Sequence, residues 1–218
     1  MSDSDELVDT AFRERLREQA ESAGLSLDLT QMGHFERYFR LLRHWNRTIN
    51  LTALPLAGLP DRTLNRLFIE PLQAAQFVED TPLLWFDLGS GGGSPAIPLK
   101  IVRPMLRLNM VESRSRKAAF LREVVRSLSL TTTEVLTIRI EELARATPAA
   151  GHGDLLTIRA VRIEEGLLRA ATALLRLGGR LLLFGSGSSR AVNHGDFRVI
   201  QRLSLVGDST LQVLNRVA

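Results

Sequence analysis

The sequence predicts an α/β fold in which helices cover both faces of a mostly parallel sheet. Three observations predict it. From "PLLWFDLGS" onward short apolar runs alternate with helical segments, a glycine cluster follows the first run, and two apolar runs separated by a Gly-Asp turn end the chain. Strand-helix alternation favours parallel strands, because each helix returns the chain to the end of the sheet where the previous strand began. The last two runs predict an antiparallel hairpin at one edge of the sheet.

Three helices are predicted before the sheet begins, at Leu7–Ala23, Thr30–Asn46 and Asp61–Val78. Apolar side chains recur at helical spacing in the first two, and a proline-bearing loop precedes the third. We therefore expect an N-terminal helical extension, residues 1–80, packed on an α/β core, residues 81–218.

Seven strands are predicted in the core. Five of them alternate with helices, and the other two form the terminal hairpin, in "FRVIQRLSLV" and "STLQVLNRV". The alternating strands are Leu83–Leu88, Arg107–Glu112, Glu134–Ile140, Leu155–Ala160 and Arg180–Phe184. The helices between them are Pro95–Val102, Ser115–Leu128 and Ile163–Leu177. The sheet is therefore expected to be parallel except at the edge that carries the hairpin.

The composition excludes several classes of protein. Of the 218 residues 44% are hydrophobic, which is enough for a proper core, and none is cysteine, which excludes disulfides and thiolate metal sites. The sequence lacks an uncharged apolar run of about 18 residues and a basic, apolar start, so neither a membrane span nor a secretory signal is predicted. The four histidines are scattered and match no metal-binding pattern. We expect a cytoplasmic protein.

The positive charges are nearly all arginines. The net charge is +4, and Lys100 and Lys117 are the only lysines in the sequence. Guanidinium groups bind phosphate oxygens bidentately, so this composition is compatible with an RNA partner, but a GC-rich gene explains it equally well. Four arginines of the second predicted helix form either a phosphate-contacting stripe or a solvated face; they are Arg37, Arg40, Arg43 and Arg47.

The glycine cluster lies where a ligand is expected. In an open parallel sheet ligands bind beyond the carboxyl ends of the strands, and "GSGGGSPA" directly follows the first strand. Gly89, Gly91 and Gly93 permit positive φ angles and a close approach of backbone to ligand. Ser94 is predicted to cap the next helix, with Pro95 in its first turn. The sequence therefore predicts a nucleotide-binding turn.

The type of nucleotide is left open by the glycines alone. "GGGSPA" satisfies the dinucleotide pattern G-x-G-x-x-A, which keeps an NAD site possible. Asp87, two residues before Gly89, favours S-adenosylmethionine, because that ligand carries cationic ammonium and sulfonium groups. Glu112 ends the second strand, and a carboxylate there can accept hydrogen bonds from the ribose hydroxyls of either ligand.

Several segments resemble the ribosomal RNA small-subunit methyltransferase G family, also called glucose-inhibited division protein B. "HWNRTINLTAL" resembles its W-N-x-x-x-N-L-T segment, and "FDLGSGGGSPAIPLKIVRP" resembles its D-V-G-x-G-x-G-x-P-G-I-P-L-x-I-x-x-P block. "ESRSRKAAFLREVVRSLSL" is similar to D-S-x-x-K-R-x-x-F-L-x-x-V-x-x-x-L-x-L, and "RIEEL" to R-V-E-E-F. The resemblance covers most of the chain.

The resemblance implies a class I, Rossmann-like methyltransferase fold and methyl transfer from S-adenosylmethionine to N7 of a guanine in small-subunit ribosomal RNA. It implies that Gly89 and Ser94 line the methionine side of the cofactor. Ile140 and Glu141 would flank the adenine, and Glu112 would hold the ribose. The implied partner is small-subunit ribosomal RNA or an assembling small subunit, with no membrane partner. The sequence does not imply an oligomer.

Arg159, in "IRAV" at the end of the fourth strand, is implied to reach the site. From the residues alone it either contacts the cofactor or the target base, or forms a structural ion pair with Asp87, Glu112 or Glu141.

Four segments depart from the family pattern. The family's R-H-x-x-D-S is "RLFIEP" here, and its S-R-A-F is "IRAV". The lysine that the family usually has after the fifth strand is missing from "LLLFGSG", and the family's E-R-H-x-V-V is "DSTLQVL" here. Two alternatives therefore stay open: a methyltransferase for another RNA or a small molecule, and a cofactor- or RNA-binding protein without turnover.

Overall fold

The computed structural model describes residues 3–146, 151–159, 164–186, 192 and 194–218. Seven strands in this part of the chain form one sheet: β1 (Leu84–Leu88), β2 (Arg107–Val111), β3 (Thr133–Leu136), β4 (Gly153–Arg159), β5 (Leu175–Ser186), β6 (Phe197–Ser204) and β7 (Ser209–Arg216). Their order is β3-β2-β1-β4-β5-β7-β6. The first five strands are parallel, and β7 pairs antiparallel with both β5 and β6.

The helices of the described residues lie before the sheet and between its strands. They are α1 (Asp3–Ser22), α2 (Leu29–Asn46), α3 (Asp61–Leu64), α4 (Glu70–Ala74), α5 (Ala96–Val102), α6 (Ser115–Ser127), α7 (Ile140–Ala146) and α8 (Glu165–Leu174). A π-helical turn, Asn65–Ile69, joins α3 to α4, and a 3-10 turn, Ala75–Phe77, follows α4. From α3 to this last turn the chain thus forms one helical segment.

Successive strand residues point to opposite faces of the sheet, and each face has its own hydrophobic cluster. Trp85 packs in the cluster that contains the N-terminal helices, whereas Phe86 packs in the cluster on the α8 side. In the first cluster Phe12 stacks on Phe39 with ring centroids 4.6 Å apart, and the edge of Phe68 meets both rings. The first helices therefore share a continuous core with the sheet. The division at residue 80 stays a prediction.

The predicted mostly parallel sheet and its edge hairpin are present. The helix α7 was not predicted, and several boundaries differ; α1, for example, begins at Asp3 rather than Leu7. The strand predicted to end at Ile140 ends at Leu136, because the apolar alternation continues through a loop and into the first turn of α7. The helix predicted to end at Leu177 stops at Leu174. Its last three residues already belong to β5, where Leu175 pairs with Gly153 ahead of a register shift. The predicted boundaries Ala160 and Ile163 lie outside the described residues.

Candidate functional site

The glycine loop between β1 and α5 has the backbone that the sequence predicts. Gly89, Gly91 and Gly93 have φ angles of 75°, 52° and 91°, in the left-handed region that disfavours larger residues. A Cβ at Gly93 would lie 2.9 Å from Ile97 Cγ1, so this glycine is needed for packing. Among the described residues, a Cβ at Gly91 would meet only the Gly89 carbonyl oxygen, at 3.7 Å. Gly91 therefore leaves room in front of the loop.

Side chains from other elements fix this loop. The Tyr38 hydroxyl of α2 donates to the Gly92 carbonyl at 2.6 Å. The Glu112 carboxylate, at the end of β2, accepts the Gly91 amide at 3.0 Å through one oxygen and the Arg114 amide at 2.8 Å through the other. The predicted ribose contact of Glu112 would use its remaining lone pairs. The loop is thus held before any ligand arrives.

The predicted capping role of Ser94 is wrong. Pro95 takes the cap position of α5, and the Gly93 carbonyl already accepts the amide of Ile97 at 2.7 Å. Since the Ile97 amide in the first turn of α5 already has this backbone acceptor, it does not need the Ser94 hydroxyl. That hydroxyl instead faces the α3–α4 segment, where it donates to the Leu67 carbonyl at 2.9 Å. Ser94 still lines the cavity in front of the loop.

Asp87, at the end of β1, is 1% exposed. One of its carboxylate oxygens accepts the Thr157 hydroxyl at 2.5 Å, and the other is buried with no hydrogen-bond partner among the described residues. Burial raises the pKa of the Asp87 carboxyl to about 6, although the hydrogen bond from Thr157 and the nearby Ser90 and Arg159 lower it. A buried carboxylate oxygen that lacks a donor is costly, and a cationic ligand nearby would offset that cost.

Arg159, at the end of β4, is held in place on three sides. Its guanidinium donates to a carboxylate oxygen of Glu70 at 2.9 Å, to the Arg66 carbonyl and, at 3.2 Å, to the Ser94 hydroxyl. It also lies 4.3 Å from the ring centroid of Phe184, a cation–π distance. Burial lowers the pKa of Arg159 to about 10, which leaves the group charged at neutral pH.

Three acidic residues considered as partners of Arg159 form no ion pair with it in the described structure: Asp87, Glu112 and Glu141. Its partner is Glu70 of α4, a residue that the sequence reasoning missed. Glu70 is 2% exposed, and the same carboxylate oxygen also accepts from Arg66 at 3.2 Å. The available signal was positional, because Glu70 in "RLFIEP" occupies the acidic position of the family's R-H-x-x-D-S segment. The histidine and serine positions of that segment hold Leu67 and Pro71 here.

Two adjoining cavities lie along the carboxyl ends of the strands. The first, of about 480 Å³, is bordered by the glycine loop, Ser94, Glu112 and Arg159. The second, of about 500 Å³, is bordered by the segment from 138 to 141, which contains Ile140 and Glu141. Both cavities include Gly89 and Glu112 in their walls. Seven of the nine predicted site residues therefore line this pair of cavities; Asp87 and Gly93 lie behind it.

Cationic side chains surround the first cavity: Arg62, Arg66, Arg114, Lys117 and Arg159. The α2 arginines predicted as a stripe are differently placed. Arg37 donates to the Ser127 carbonyl at 2.9 Å, and Arg40 forms an ion pair of 2.7 Å with Glu36. In the described residues, no group of His, Asp or Glu could hold a metal ion, and no helix is long and apolar enough to span a membrane.

Solved structures with a similar fold include a methyltransferase. An S-adenosylmethionine-dependent methyltransferase from Aquifex aeolicus aligns with a TM-score of 0.57 and 14% identity, over 72% of this chain and 96% of that one. The structure of TrmN from Thermus thermophilus aligns with a TM-score of 0.53 and 20% identity, over 71% of this chain and 53% of that one. These likenesses confirm the predicted class I, Rossmann-like fold.

Sequence relatives identify the family. A protein of Roseiflexus castenholzii named ribosomal RNA small subunit methyltransferase G is 40% identical over 75% of this chain and 68% of its own length. One of the same name from Stenotrophomonas maltophilia is 41% identical over 73% of this chain and 71% of its own length. The family model described as rRNA small subunit methyltransferase G matches residues 31–203. As its motifs predict, the chain belongs to the rRNA small subunit methyltransferase G family.

Proposed function

We propose that this protein transfers a methyl group from S-adenosylmethionine to N7 of a guanine in small-subunit ribosomal RNA. The observation that carries the proposal is the fixed glycine loop, with acids at the ends of β1 and β2 and a cavity rimmed by cations, in a chain of this family. Because ribosomal subunits assemble in the cytoplasm, we place the reaction there.

The residues at the loop fit S-adenosylmethionine on two counts. The unpartnered carboxylate oxygen of Asp87 is buried, which favours a cationic ligand nearby, and the methionine part of the cofactor carries an ammonium group. Gly91 leaves open space where a side chain would otherwise intrude. We assign the methionine side to Gly89, Gly91 and Ser94, with Gly93 giving the loop its shape.

The adenosine would occupy the second cavity. Glu112 would accept hydrogen bonds from the ribose, and Ile140 and Glu141 would flank the adenine. Partly buried Ile140 packs against the cluster on the α8 side of the sheet, which gives the adenine a fixed apolar wall. A dinucleotide stays the weaker alternative, since the charge on Asp87 would oppose a pyrophosphate.

Positioning is the main task of the protein in this reaction. When bound, S-adenosylmethionine supplies a methyl group on a sulfonium centre, which guanine N7 can take directly, because N7 has an in-plane lone pair and no proton. A general base is therefore not required, and holding the reactants in line can contribute several kcal/mol. Arg159, fixed by Glu70 and Ser94, is the charged group of the cavity wall best placed to orient a reactant.

The RNA backbone would lie across the mouth of the first cavity. Arg62 and Arg114 are exposed and Lys117 is half-buried there, and all three line the cavity. Phosphate contacts from such side chains position a nucleic acid without reading its sequence. The α2 arginines would contribute less, because Arg37 and Arg40 are already bound to groups of the protein.

Mass spectrometry of ribosomal RNA tests the proposed reaction. Small subunits from a strain that lacks this gene, incubated with the protein and labelled S-adenosylmethionine, should gain one 7-methylguanine. Label in another nucleotide or in a small molecule would favour the first alternative. Binding of S-adenosylhomocysteine without any methylated product would favour a protein without turnover.

A thermal shift assay separates the two candidate cofactors. S-adenosylhomocysteine should raise the melting temperature, because a ligand that binds only the folded state stabilises it, and NAD should leave it unchanged. A shift with NAD alone would contradict the assignment of the cofactor.

A further inference from the structure

A third cavity, of about 540 Å³, adjoins the glycine-loop cavity on the side away from β2. One wall comes from the α3–α4 segment, with Arg62, Asn65, Arg66 and Glu70. The opposite wall comes from the end of β5 and the turn between β6 and β7, residues 206–209, which include Asp208. Since Arg62 and Arg66 line both cavities, they mark the boundary where a reactant in one meets a reactant in the other.

The topology of the sheet brings this distant turn to the functional edge. Because β7 runs antiparallel to β5, Ser209 at its start pairs with Ser186 at the end of β5. Across the sheet from β1 to β7, the carboxyl edge therefore carries the glycine loop after β1, Arg159 at the end of β4, and the β6–β7 turn. Asp208 thus belongs to the same edge as the predicted cofactor site.

The third cavity contains polar groups that can form further hydrogen bonds. The Asn65 side-chain oxygen is buried with no hydrogen-bond partner among the described residues. Asp208 is exposed, and in the same part of the chain nothing is paired with its carboxylate. In contrast, Arg66 is fixed by Glu70 and by the Ser209 hydroxyl at 2.7 Å. The cavity thus combines a rigid cationic inner wall with a carboxylate available at its outer wall.

We propose that this cavity holds the target guanine and that Asp208 accepts hydrogen bonds from its N1–H and N2–H groups; the inference rests on the proposed function. A guanine whose N7 and O6 edge faces the glycine-loop cavity presents N1–H and N2–H on its other side, toward the β6–β7 turn. Adenine has a lone pair at N1 and could not donate there. A carboxylate at this place therefore selects guanine.

The charge of Asp208 has a second consequence. Methylation at N7 moves one positive charge from the sulfonium to the purine, and the bonding pair stays with sulfur, so the guanine becomes a cation without losing a proton. A carboxylate at the opposite edge of the ring is attracted more strongly to this cation than to neutral guanine. Interactions that strengthen in the transition state raise kcat rather than only lowering KM. Asp208 should thus contribute to rate as well as to recognition.

The test is Asp208→Asn, which keeps the size of the side chain and its fit to the turn but removes the charge. With unmodified small subunits as substrate, kcat should fall roughly tenfold to a hundredfold, the range for losing one hydrogen bond to a charged partner. The melting temperature and the affinity for S-adenosylhomocysteine should match those of the wild type. Glu134→Gln removes an exposed charge at the opposite edge of the sheet and should leave kcat and KM unchanged.

The outcomes separate this inference from the proposed function. If the wild type forms no 7-methylguanine, the proposed function fails. If the wild type forms 7-methylguanine and Asp208→Asn does so with the wild-type kcat, the inference is overturned. That holds also when the KM of the variant rises while its kcat is unchanged. A lower kcat that is matched by Glu134→Gln would reveal a general charge effect and would also overturn it.

Discussion

The two halves of the carboxyl edge are built in different ways. The glycine-loop half is centred on residues 87–94, and the side chains of Tyr38 and Glu112 hold its backbone at the Gly92 carbonyl and the Gly91 amide. The other half is a cluster of side chains from separate segments, in which Arg66 and Ser209 are 143 residues apart in the chain. The glycine loop itself is therefore encoded in one short stretch of sequence, whereas the proposed acceptor half exists only once the whole sheet has formed.

The largest expected effect is a loss of stability when the buried charge of Glu70, in the acceptor half, is removed. Glu70→Gln leaves two arginines facing a neutral group, and breaking a buried ion pair by removing one partner costs about 3–5 kcal/mol. Urea unfolding would measure this decrease in stability. Glu165→Gln, which breaks an exposed ion pair with Arg169 in α8, is the matched control and should cost about 0.5 kcal/mol or less. Equal decreases would contradict a special role for the cluster.

The second expected effect concerns the cofactor half. Gly91→Val should lower the affinity for S-adenosylhomocysteine at least tenfold, because the valine enters space left open for the ligand and disfavours a φ of 52°. Gly24→Val supplies the control, since Gly24 has a φ of 71° and open space but lies after α1, away from the site. Calorimetry should find normal affinity in the control, although both variants lose some stability. Unchanged affinity in Gly91→Val would place the ligand elsewhere.

The contrast between the halves explains how much the sequence could predict. A strand, a glycine loop and a helix follow one another in the chain, so the positions of Asp87, Gly89 and Gly91 at the carboxyl end of β1 could be predicted from local pattern alone. The partner of Arg159 could not, because Glu70 approaches β4 only through the packing of the α3–α4 segment. Ser94 was assigned to a helix cap for the same reason, since its actual acceptor, the Leu67 carbonyl, lies in that segment.

The third expected effect is a pH dependence set by Asp87. Because burial raises its pKa from 3.8 to about 6, the folded protein holds this proton more tightly than the unfolded chain does. Its contribution to stability is therefore fully present below pH 3.8 and is lost as the pH rises through about 6. A cationic ligand favours the ionised form, so the affinity for S-adenosylhomocysteine should rise by up to about tenfold per pH unit below 6. Calorimetry from pH 5 to 7.5, on the wild type and on Asp87→Asn, measures how the affinity for S-adenosylhomocysteine depends on pH.

Asp87→Asn should have a flatter pH profile, because asparagine does not titrate. If the variant and the wild type share one pH dependence, the titrating group is not Asp87. In that case the loop would bind the cofactor without help from the charge of Asp87, contrary to the role proposed for its unpartnered carboxylate oxygen.

The smallest expected effect compares two basic surfaces for RNA binding. Arg114→Ala combined with Lys117→Ala should lower the slope of log affinity against log salt by about 0.7–0.9 for each phosphate that the protein no longer neutralises. Arg40→Ala combined with Arg43→Ala should change the slope less, because Arg40 is paired with Glu36 and the guanidinium of Arg43 lies 6.0 Å from the Phe39 ring centroid. Filter binding with small-subunit RNA over a salt series measures both slopes. Neither pair lines the third cavity, so specificity for guanine should persist in both variants. A larger change in the α2 variant would move the RNA path onto that helix, and the cavity mouth would then bind only the cofactor.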